Sequence, residues 1–165
     1  MKNSTTISTL ALTLLLSACA ATPSASSVSD AAPGSVAYDR DVFQTLLGGH
    51  SELRRTVRVL PDGVETITES DDAALAALIR DHVIAMKVRL EHDGRIRQWD
   101  PIFRAVFDNA SKIRMEYELT AKGVKVREQS DDPRIVRLIQ AHATMVSGFV
   151  TRGTEESAIA HEVPE

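Results

Sequence analysis

The sequence predicts an α+β fold: a tandemly duplicated helix-strand-strand-helix unit whose two hairpins form one four-stranded antiparallel sheet, with the helices packed on one face. Three observations carry this. Phe43–Met86 aligns on Phe103–Val146 without gaps at an offset of sixty, with eleven identities in 44 positions. The stretch "IRMEYELT", residues 113–120, alternates apolar and mostly charged side chains, which is the period of a strand. "SDDAALAALIRDH" (70–82) and "SDDPRIVRLIQAH" (130–142) each write an acidic helix start, an amphipathic helix and a histidine in the same register.

The elements follow in chain order. Lys2, an apolar run from Ile7 to Leu16 and the small residues Ser17 and Ala18 make residues 1–18 an export signal. The apolar run is half the roughly 20 residues a spanning helix needs. Residues 19–37, rich in Ala, Ser and Pro, read as a flexible tether, since such a composition buries too little apolar surface to fold. The folded domain is then 38–165, with repeats at about 43–100 and 101–160. In the first repeat "FQTLLGGH" ends a helix at His50, and "LPDGVETIT" supplies the hairpin turn at Pro61-Asp62-Gly63. In the second, Asp100 followed by Pro101 is the N-cap and N1 pairing of a short helix, "PIFRAVFDNA". The strand "IRMEYELT" puts Ile113, Met115, Tyr117 and Leu119 on one face, and "AKGVKVRE" returns beside it. The closing helices open at Ser-Asp-Asp, where carboxylates accept from free backbone N–H groups and suit the helix dipole; no calcium loop surrounds either pair.

Composition narrows the function. The net charge of −4 shows no basic surplus for nucleic acid, and Arg54-Arg55 alone is too little. Cys19 is the single cysteine, so disulfides, thiolate metal sites and a cysteine nucleophile drop out of the mature domain. Hydrolase, zinc-protease, phosphate-loop and dinucleotide motifs are missing, and the chain is read as a non-enzyme.

Leu16-Ser17-Ala18-Cys19 resembles the lipobox of bacterial lipoproteins. That resemblance implies acylation of Cys19, attachment to the periplasmic side of the cell envelope and, with Ala20 next, the outer membrane; the other reading is an ordinary signal peptide cut near "ACA". The blocks "LPDGVETITESDD", "IRQWDP" and "GVKVREQSDDP" resemble an uncharacterised family of exported bacterial proteins, a resemblance that implies no activity.

The candidate chemistry lies in two histidines. Leu75, Leu78, Ile79, His82, Val83 and Met86 share one helix face, as do Ile135, Leu138, Ile139, His142, Met145, Val146 and Phe149. His82 and His142 therefore point inward as symmetry mates, with Met86 and Met145 returning thioethers to the same faces. Imidazole with thioether suits copper or a haem iron, and His50, whose counterpart is Ala110, is a candidate third ligand. The competing reading makes both histidines core residues of a non-catalytic interaction or scaffold lipoprotein. His161 is expected in solvent, His92 in a polar turn, and Trp99 as a plug between repeats or a partner anchor. Expected partners are the membrane through the lipid, copper or haem, and an envelope protein or second copy of the chain.

Overall fold

Residues 34–165 are described in the computed structural model; the expected signal segment, Cys19 and the expected tether as far as residue 33 lie outside them. Ser35 accepts from the Tyr38 N–H at 3.2 Å and opens α1 at Val36, two residues before the expected domain boundary; the helix runs Val36–Gly48. The hairpin β1 (Leu53–Leu60) and β2 (Gly63–Ser70) leads into α2 (Ala73–Glu91). The same order then repeats: α3 (Pro101–Asp108), β3 (Arg114–Thr120), β4 (Gly123–Gln129) and α4 (Pro133–Arg152), closed by the short α5 (Thr154–Ser157).

The sheet is antiparallel throughout, in the order β1-β2-β4-β3. Its central pair sets Thr66 opposite Val126, positions sixty residues apart. Equivalent residues thus face each other across one point, which makes that point an approximate twofold centre of the sheet. The turns obey the same relation: Ser70 N–H donates to Lys122 O and Ser130 N–H to Asp62 O, each at 2.9 Å, so each unit's strand end ties down the other unit's turn.

The two Ser-Asp-Asp segments divide their labour. Asp72 Oδ1 accepts from Leu75 N–H at 2.8 Å and Asp132 Oδ1 from Arg134 N–H at 3.0 Å, so the second aspartate caps the helix. The first reaches back to the sheet: Asp71 pairs with Arg54 at 2.7 Å and Asp131 with Arg114 at 2.8 Å. These outer pairs are exposed and contribute little, whereas a cap is worth about 1 kcal/mol.

Alternation places Val64, Thr66, Val124 and Val126 under the helices, all buried, while Arg58, Glu65 and Lys125 pair on the outer face. Helix α4 lies over β2 and β1 and α2 over β4 and β2, so each long helix covers strands of the other unit; α1 packs on α2 and α3 on α4. Coverage fails toward one end of each edge strand. Tyr117 and Leu119 share the inner face with buried Ile113 but remain 37% and 52% exposed. Among the described residues no helix is long and apolar enough to cross a membrane.

The core falls into two clusters. One gathers Val64, Ile102, Phe103, Ile139, Met145 and Phe149; the other gathers Val42, Leu46, Leu75, Ile79, Val124 and Val126. Among the described residues both clusters draw on 38–149, so the folded domain supplies a core of its own.

Candidate functional site: a cavity between the helices and the sheet

Members of both clusters wall a cavity of about 460 Å³, Leu46 and Ile79 from one and Leu47, Phe103, Val106 and Phe149 from the other. Interiors pack at crystal-like density with few voids larger than a water, so a space of this size inside a small domain is the size of a ligand site rather than a packing defect. Exposed Val36 and Arg40 also line it, which places its opening beside the start of α1.

The helix faces deliver both histidines to this space. His82 from α2 and His142 from α4 line it, together with Met86. His82 stacks on Phe43 with ring centroids 5.8 Å apart, and His142 meets Phe103 edge-on at 5.6 Å, equivalent partners in the two units. The Nδ1 of His82 is sealed from solvent and has no hydrogen-bond partner. Burial pulls the His82 imidazole down to about 4; Asp39 opposes this and Arg89 adds to it. Burial lowers His142 as well, with Glu128 and Asp100 opposing and Arg55 reinforcing. Both rings are therefore neutral near pH 7.

The other proposed ligands lie elsewhere. His50 bonds through Nδ1 to the Val150 carbonyl at 3.1 Å and packs against Gly153, fastening the start of the first hairpin to the end of α4. Met145 is 3% exposed within the apolar core. Neither is among the cavity-lining residues. Among the described residues, no three His, Cys, Asp or Glu side chains gather as a metal-holding group.

What sequence reasoning missed is the charge in this cavity. Alternation along β1 sends Leu53, Arg55, Val57 and Val59 to the inner face, opposite Ser70, Thr68, Thr66 and Val64. Arg55 thus enters an apolar wall, where its counterpart sixty residues on is Met115. Of its five N–H donors one is used, Nη1 to Thr68 Oγ1 at 2.6 Å; its Nε is buried without an acceptor. Burial lowers Arg55 to about 10, against the pull of Glu128, which lines the same cavity. A buried charge hydrogen-bonded only to a hydroxyl and in no ion pair is a destabilising feature. Arg55→Met should therefore raise the stability of the ligand-free protein by about 1–3 kcal/mol, read as a higher urea midpoint at unchanged slope.

The remaining cavity arginines are neutralised. Arg89 donates Nε–H to Asp39 Oδ2 at 2.8 Å, in a pair that is 12% and 9% exposed. Arg97, held at φ +47 in the chain between α2 and α3, lies 3.4 Å from Asp100 and donates to the Ser157 carbonyl at 3.1 Å. Its guanidinium stacks over Trp99, Phe103 and Phe149. Trp99 itself is 54% exposed, so it covers the arginine from outside rather than plugging the repeats.

His161, expected in solvent, is instead 16% exposed at its side chain. Its Nδ1 donates to Asp100 at 2.8 Å, its backbone N–H reaches the same carboxylate at 3.1 Å, and its Nε2 lies 3.0 Å from Glu156. Burial pushes Asp100 upward, but the His161 bonds and the Ile102 amide hold it below its ordinary value. The tail thereby fixes Asp100, which fixes Arg97 at the cavity wall. Compared with family models, curated proteins and solved structures, the chain matches none.

Proposed function

We propose that this protein is a lipid-anchored binding protein of the cell envelope that encloses a small, largely apolar molecule between its helices and its sheet. The observation that carries the reading is the 460 Å³ cavity, with aliphatic and aromatic walls, ion-paired arginines among them, and polar side chains outside those pairs: Arg55, Thr68, Glu128, His82 and His142. The anchor rests on the residues Leu16–Cys19, and it would hold the cavity mouth at the end of the domain where the tether enters.

The test is uptake. The chain from Ala20 onward, purified and stripped of lipid, should take up one environment-sensitive apolar dye per molecule. Met86→Trp and Val83→Phe, which fill the cavity from α2, should each lose most of that signal. Equal uptake by the filled variants would move the dye to the surface and end the reading.

A second reading, copper or haem held by His82 and His142 with Met86 beside them, is favoured by the neutral rings lining one cavity and by the unpaired Nδ1 of His82. It requires metal or a haem absorbance band that the His82→Ala/His142→Ala variant loses. A wild type that takes up neither metal nor haem excludes it.

A further inference from the structure

We infer that the cavity takes a monocarboxylic acid with a large apolar body, its carboxylate seated on Arg55. This rests on the cavity being a binding site and adds the chemistry of its ligand. Among the described ion pairs Arg89 has Asp39, Arg97 has Asp100, Arg95 has Asp93 and Asp108, and Arg40 has Asp41, whereas none includes Arg55. Arg55 is thus the arginine of the wall outside every described ion pair, drawn by Glu128 only from beyond ion-pair distance, with Thr68 holding one edge of its fork and donors to spare. A planar guanidinium with free N–H groups matches a carboxylate, and in an apolar surround that pairing is strong only when both charges are satisfied together.

The same wall limits the ligand to one negative charge. His82 and His142 are neutral and add no cation, and Glu128 lines the cavity near enough to act on both Arg55 and His142. A phosphate or a second carboxylate would meet Glu128, while the other arginines of the wall are already held in ion pairs. Apart from Asp39 and the ion-paired arginines, the remainder of the wall, including Phe43, Leu46, Ile79, Val83, Met86 and Phe149, is apolar.

Isothermal titration of the lipid-stripped chain from Ala20 onward with dodecanoate, dodecanol and dodecyl phosphate tests this. Dodecanoate should bind one to one and about tenfold or more tighter than either of the others. Arg55→Met should lose that preference while still binding dodecanol. Glu128→Gln should tighten dodecanoate and narrow the gap to dodecyl phosphate, and it decides the matter should Arg55→Met fail to fold. Dodecanol binding as tightly as dodecanoate, or a preference that survives Arg55→Met, overturns the inference and leaves the cavity reading standing. Failure of all three probes to bind overturns both.

Discussion

Alanine at Gly123 should unfold the protein under conditions where the wild type is stable, and alanine at Gly63 should do the same. At Gly123 an added Cβ would stand 2.1 Å from the Thr68 carbonyl oxygen, and at Gly63 it would stand 1.9 Å from the Glu128 carbonyl oxygen. Both obstacles are backbone, so no rotamer change relieves them; strands β2 and β4 must separate instead. That pair is the seam where the two units meet, and its ends also carry the Ser70 and Ser130 amide bonds to the opposite turns. Parting it forfeits several ladder bonds and opens the sheet beneath Val64 and Val124, both fully buried. A loss above about 4 kcal/mol is expected for each, in the exceptional range reserved for core and backbone disruption. Gly48→Ala is the control: nothing lies within 4 Å of its added Cβ, so it should be neutral or slightly stabilising. Urea unfolding followed by far-UV circular dichroism measures all three, and a Gly123→Ala midpoint near that of the wild type would mean the strands are not so close.

These glycines also show what the sequence disclosed and why. Identity at an offset of sixty marked them as equivalent, and their equivalence is spatial: the partner of one clash, Glu128, is the counterpart of the other, Thr68. Elements were legible because their signals are local, the alternation of 113–120, the aspartate caps and the two-residue turns. Coverage was not, because Tyr117 and Leu119 follow the strand period perfectly and are exposed only because the long helices pass elsewhere.

The site divides along the same line. Helix periodicity gave the direction of His82 and His142, but direction does not say whether atoms fill the space a side chain faces. The cavity is a property of two helices and a sheet failing to close, and no single segment encodes it. Arg55 was hidden differently. Its position in the strand alternation put it inside while its charge argued for solvent, and the conflict itself was the signal, sharpened by Met115 at the equivalent place. Local rules tend to break in this way at functional sites. His161 sits in a tail whose composition resembles a solvated end, and what holds it is the buried carboxylate of Asp100, sixty-one residues away.

Acidification from about pH 6.5 toward 4 should remove roughly 3 kcal/mol of stability through His82 alone. Its ordinary value is 6.5 and burial lowers it to about 4 in the fold. Between those values the unfolded chain binds a proton that the folded chain refuses, so stability rises with pH across the window and is lost as pH falls through it. The difference of about 2.5 units corresponds to about 3 kcal/mol. His142 shifts in the same direction and steepens the loss. The charged groups acting on the two rings do not cancel this: Asp39 and Arg89 oppose each other beside His82, as Glu128 and Arg55 do beside His142. Carboxylates held below their ordinary values by partners, such as Asp71 at about 2, act in a separate window, keeping their contribution above pH 4 and losing it below. The His82→Leu/His142→Leu variant should therefore hold its urea midpoint from pH 7 to about 4.5 and fall only beneath that. If its profile kept the wild-type slope, the acid sensitivity would belong to the carboxylates and the rings would not be deeply buried. A flat profile would establish that both imidazoles are neutral at pH 7, so that the cations of the cavity wall are its arginines alone.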